Sequence, residues 1–110
     1  MSNLLHQQCQ TLGAGHAMSE ATIHDHLAQV SAWHLNDAAI EKTFRFKNFF
    51  ETVSFVNAFA WICHTENHHP ELAVSYDRCI VRLNTHSVGG ISLNDFICAA
   101  KADALIAFVA

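Results

Sequence analysis

The stretch 64-HTENHHPELAVSYDRCIVRLNTHSVGGISLND-95 decides the fold. A helix entering from the left must end by Asn67 to His69, because Pro70 drives the residue before it out of the α region. Leu72, Val74 and Tyr76 fall at alternate positions, and so do Cys79, Val81 and Leu83. Each run reads as a short strand with one apolar face. Gly89 and Gly90 mark a loop. Ser92-x-x-Asp95 then has the form of a capping box, which starts a further helix. Leu93, Phe96, Ile97, Ala100 and Ala104 supply that helix with its apolar face. Tyr76 and Cys79 are both expected in the core.

Working outward, Asn48 and Glu51 have capping-box spacing at the head of a long helical pattern. Phe49, Val53, Val56, Ala60 and Cys63 follow its period, and Phe55, Phe59 and Ile62 widen the stripe. That helix must bury two surfaces, a sheet on one side and something else on the other. Upstream, residues 33–38 and 40–47 read as two strands with a turn around Asn36 to Ala39, although the Asn-Gly hairpin signal is missing. Ser19 can cap a short helix to about Val30, with Ile23, Leu27 and Val30 on one face. Residues 1–18 are polar, contain Gly13 and Gly15, and read as a loosely ordered leader to a domain over 19–110. The order helix, two strands, long helix, two strands, helix predicts an α+β, two-layer fold. In it a four-stranded antiparallel sheet carries the helices on one face.

Composition sets the limits on function. A chain of 110 residues, 51% hydrophobic and 15% charged, suits one folded domain. Its formal net charge of -4 opposes general nucleic-acid binding, for which no basic field is present. No apolar run approaches the ~20 residues that span a bilayer. The N-terminus lacks the basic start and apolar centre of a secretory signal. Cys9, Cys63, Cys79 and Cys98 are widely spaced with no C-x-x-C pair, as expected of buried free thiols in a reducing compartment. The cytoplasm is the expected location.

The nine histidines are the first sign of chemistry, since imidazole gives and takes protons near neutrality. His68 and His69 stand where the long helix gives way to Pro70, and His86 ends the fourth strand. If that strand runs beside the helix end, all three face one pocket. Each also has a plain structural role open to it. A histidine at a helix C-terminus can be a dipole partner, His86 can be an ordinary strand-end residue, and Asp95 can serve only to start its helix. A metal is the rival chemistry, because His64 and His68 are four apart on one helical face. Thr65 stands where H-E-x-x-H needs glutamate, and no cysteine lies at ligand spacing, so no metal site is expected.

These residues resemble the pterin-4a-carbinolamine dehydratase family. The family pattern has a residue that is often acidic, then three positions, then His-His-Pro, followed by an aromatic, a histidine and an aspartate. Here these are His64, His68-His69-Pro70, Tyr76, His86 and Asp95. Trp33, the run Phe44-x-Phe46-x-x-Phe49 and the long helix extend the likeness over about Ser19 to Phe108. One departure is His64, where many members carry a carboxylate; Glu66 is out of register by two.

The resemblance implies a 4a-hydroxytetrahydrobiopterin dehydratase, a hydro-lyase needing no cofactor. It would remove water from 4a-hydroxytetrahydropterin and return quinonoid dihydropterin for recycling in the pathway of an aromatic amino acid hydroxylase. It implies that His68 and His86 are the acid and base, in an order left open. His69 would hold the pterin as part of the catalytic set, and Asp95 would assist binding or orientation. It further implies a homotetramer built as a dimer of dimers, and some animal members also bind a homeodomain transcription factor. The alternative function is a protein-interaction or dimerisation module of the same fold.

Overall fold

A computed structural model describes residues 3–13 and 15–109, with side chains described as far as residue 106. The elements run α1 (Glu20–Leu27), β1 (His34–Asn36), β2 (Ala39–Arg45), α2 (Phe49–Thr65), β3 (Glu71–Val74), β4 (Arg78–Leu83) and α3 (Leu93–Val109). The strands form one antiparallel sheet in the order β1-β2-β4-β3. This is the α+β architecture expected from the order of elements.

Register explains which side chains point inward. Ile40, Lys42 and Phe44 of β2 lie opposite Leu83, Val81 and Cys79 of β4, so these six share a face. Five are apolar and buried. The sixth, Lys42, reaches across to α3, where its ammonium meets Asp103 at 2.8 Å and lies over the Phe44 ring. Asp103 also accepts the Trp33 indole N–H. A lysine in an apolar register is thus neutralised by the helix that covers it, which accounts for the imperfect alternation of β2. On the other face Glu41 pairs with Arg82 opposite it at 2.7 Å. That hydrogen bond holds the Glu41 carboxyl below the usual carboxylate range.

The inner face carries α2 through Phe55, which stacks on Phe44 with ring centroids 4.7 Å apart and neighbours Phe59 at 5.8 Å. Burying each such ring contributes about 2–3 kcal/mol. Asn48 caps α2 by accepting the Glu51 N–H, and Glu51 reaches back to the Lys47 N–H. α1 packs Ile23 inward and sets His26 against Phe96 of α3.

The turn expected around Asn36 to Ala39 is present, whereas Tyr76 departs from expectation. The β1–β2 hairpin turns on Asp37 and Ala38, both at positive φ (52° and 66°). This is the left-handed pair a two-residue hairpin needs, here made without glycine. Tyr76 is 65% exposed, not in the core. β3 ends at Val74, and the chain turns back with Ser75 N–H bonded to the Arg78 carbonyl. The alternation therefore stops before Tyr76, whose carbonyl accepts the Thr52 hydroxyl while its ring faces outward. Cys79 is fully buried, as expected.

The described residues of the polar leader are held to the domain at several points. Leu4 is buried in the core cluster. Cys9 N–H donates to Glu66 Oε1 at 2.7 Å. The Asn94 side chain takes both backbone groups of Gln10, accepting its N–H at 3.0 Å and donating to its carbonyl at 2.7 Å. Met18 N–H bonds to the Ile91 carbonyl.

Candidate active site

The end of α2 is built to place His68. Glu66 is the C-cap and Asn67 adopts the left-handed conformation with φ 53°. Asn67 N–H bonds to the His64 carbonyl, and His68 N–H reaches the Cys63 carbonyl. This is a Schellman closure with asparagine in the usual glycine position. It fixes the His68 backbone on the last turn of the helix, and Pro70 then carries the chain into β3.

The His68 imidazole is held from behind. Its Nε2–H donates to Asp95 Oδ1 at 2.7 Å. Asp95 is fully buried, and its Oδ2 accepts the Thr85 hydroxyl at 2.8 Å and the Ser92 N–H at 2.9 Å. Since the Thr85 proton goes to Asp95, the 2.6 Å contact between Thr85 and Ser92 has the Ser92 hydroxyl donating to Thr85. Ser92 Oγ in turn accepts the Asn94 N–H, so Ser92 and Asp95 form the expected capping box. Asp95 therefore starts the helix and anchors the imidazole at once. With Nε2 engaged, Nδ1 is the ring nitrogen left to meet a ligand.

His86 stands on a pinched loop. Thr85 N–H bonds to the Gly90 carbonyl at 2.7 Å, closing residues 86–89 into a short 3₁₀ turn that ends at Gly89 with φ 71°. His68, His69 and His86 all line one cavity of about 400 Å³, with Asn67, Arg82, Thr85 and Ser87. That volume falls in the range of small-molecule pockets. Asp95 is not among the lining residues.

His64 does not join this group. It lies exposed beside Trp61, with ring centroids 5.5 Å apart. Glu66 also serves elsewhere, bonding Cys9 N–H and lying 3.2 Å from the Lys101 ammonium. Burial alone would raise its carboxyl, but these partners outweigh it and hold it below the usual range. Among the described residues no group of three or more His, Cys, Asp or Glu side chains is arranged to hold a metal ion. Burial pushes the Cys79 thiol up to about 11. Contact with Cys98, at 3.7 Å between sulfurs, raises Cys9 further. Such thiols are poor nucleophiles.

Sequence reasoning missed Thr85 and Asn67. Both left a signal. Thr85 continues the inward register of Cys79, Val81 and Leu83, which buries its hydroxyl. Asn67 just before the histidine pair is a residue that tolerates the left-handed C-terminal position.

A small α+β domain with three imidazoles on one cavity, one of them backed by a buried carboxylate, has the make-up of an acid–base site for a small polar molecule. Residues 16–105 match the family model described as Pterin 4 alpha carbinolamine dehydratase, and the chain belongs to that family. A Stenotrophomonas maltophilia (strain R551-3) protein named "Putative pterin-4-alpha-carbinolamine dehydratase" is 55% identical over 95 residues, covering 84% of this chain and 82% of its own. A crystal structure described as a transcriptional coactivator/pterin dehydratase from Brucella melitensis superposes with a TM-score of 0.79 at 31% identity, covering 81% of this chain and 97% of that one. A pterin dehydratase-like protein described as a RuBisCO assembly factor in the alpha-carboxysome shares the fold. Its TM-score is 0.58 at 22% identity, over 67% of this chain and 88% of its own.

Proposed function

We propose that the protein dehydrates 4a-hydroxytetrahydropterin to quinonoid dihydropterin by histidine acid–base catalysis. The observation that carries this is the convergence of His68, His69 and His86 on one cavity, with His68 oriented by Asp95. Three imidazoles suit a reaction that must take one proton and give another. His68 presents the Nδ1 lone pair and takes the proton from N5. The N5 electron pair forms the C4a–N5 double bond as the C4a–oxygen bond breaks. His86, on the exposed loop, protonates the leaving hydroxyl, which departs as water. Each transfer is worth roughly 10²–10⁴ in rate. His69 holds the ring, and Asp95, buried behind His68, orients it rather than touching substrate. No cofactor or metal enters these steps.

The test is the dehydration rate of freshly generated 4a-hydroxytetrahydropterin, followed by ultraviolet absorbance, for wild type and His86→Ala. Acceleration over the spontaneous reaction, lost in the variant, is expected. A folded wild type that gives no acceleration would sink the proposal.

The rival function, a protein-interaction module, draws support from α2, where Phe50 is 83% and Trp61 66% exposed. In our reading this face serves the enzyme by meeting a second copy of the chain, in a homotetramer assembled as a dimer of dimers. Three buried thiols fit a reducing cytoplasm. Among the described residues no helix is long and apolar enough to cross a membrane.

A further inference from the structure

A second cavity, about 270 Å³, adjoins the first. The two share Asn67, His68, Thr85 and Ser87. The far wall of the second is the leader segment from Cys9 to Leu12. That wall is pinned by Glu66 and Asn94, whose polar groups are spent on the backbone of Cys9 and Gln10 and on Lys101. Other lining groups are not spent. Among the described residues, Gln10, Thr11, Asn67 and Ser87 line this chamber, and their side chains make no hydrogen bond within the protein. They offer uncharged donors and acceptors, the chemistry that recognises hydroxyl groups.

The substrate's own geometry directs a group there. In a pterin, N5 is bonded to C4a on one side and to C6 on the other. With His68 at N5, a substituent on C6 starts beside the His68 imidazole, on the side away from C4a and the departing hydroxyl. His68 is one of the four residues that both cavities share, and the only imidazole among them. We infer that Cys9–Leu12 forms a specificity subsite, which receives a hydroxylated alkyl substituent on carbon 6 of the pterin. This rests on the dehydratase function proposed above.

The test uses the full chain and two pairs of pterins, bearing either a 1,2-dihydroxypropyl or a methyl group on carbon 6. Affinities of the stable 7,8-dihydropterins are measured by fluorescence titration, and kcat/KM is measured for the 4a-hydroxytetrahydropterins. Wild type is compared with the double variant Gln10→Ala, Thr11→Val. Both side chains are exposed and lie outside the first cavity, and an unchanged Tm verifies the fold. Wild type is expected to favour the dihydroxypropyl compound by about fivefold or more, as one or two hydrogen bonds to hydroxyls allow. The double variant is expected to bring that ratio to within about twofold of unity while the methyl compound binds as before. Equal affinities in wild type, or an unaltered ratio in the variant, would overturn the subsite. A binding preference that persists without turnover of either substrate would keep the subsite and remove the dehydratase. Turnover of both substrates with no preference would do the reverse.

Discussion

Replacing Asp95 by asparagine tests the link between the buried carboxylate and His68 with little change in shape. In the native site Oδ2 takes two donors, the Thr85 hydroxyl and the Ser92 N–H, while Oδ1 takes only His68 Nε2–H. An asparagine has one acceptor oxygen. Two donors against one decide its orientation, because the reverse flip would set an NH₂ against the Ser92 N–H. The oxygen stays with Thr85 and Ser92, and the NH₂ points at His68. The imidazole must then accept at Nε2 and carry its proton on Nδ1. That tautomer cannot take the N5 proton, so kcat should fall by about 10²–10⁴, a barrier rise of about 3–5 kcal/mol. The cap is retained, so stability should change by less than about 1 kcal/mol. Stopped-flow absorbance gives kcat, thermal unfolding gives stability, and nitrogen NMR of the imidazole reports the tautomer. A variant whose proton has moved to Nδ1 but whose kcat stays within about threefold of wild type would refute His68 as the base.

The Glu66 carboxyl lies below its ordinary value in the folded chain. Its contribution to holding the leader is therefore complete above the unfolded value and is lost as pH falls through the lowered one. The Cys9 amide should lose protection from hydrogen exchange below about pH 4, and Glu66→Gln should remove that dependence; equal loosening in both proteins would count against the contact. For the α2 face, light scattering should give wild type a multiple of the 12.2 kDa chain and Trp61→Glu a smaller assembly. A monomeric wild type would rule out the second copy as the partner of that face.

The parts of this molecule that were legible in the sequence are those where local chemistry and tertiary packing ask for the same residue. Ser92 and Asp95 announce a helix start, and Pro70 an end, whatever surrounds them. The strand alternation of Cys79, Val81 and Leu83 survives because the buried face is the one α2 and α3 cover. Tyr76 misled because alternation says nothing about where a strand stops. The Ser75–Arg78 turn is set by pairing with β4, a long-range event. Lys42 blurred β2 because its neutralising partner, Asp103, lies 61 residues away. The site divides in the same manner. His68 and His69 were visible because they flank a helix end, and His86 because it precedes a glycine loop. Asp95 was visible as a cap, but its second bond, to His68, depends on α3 starting beneath the end of α2. The leader was the least legible part. Its backbone is held by side chains of Glu66 and Asn94, so the order of residues 9 and 10 is written in residues far along the chain rather than in their own.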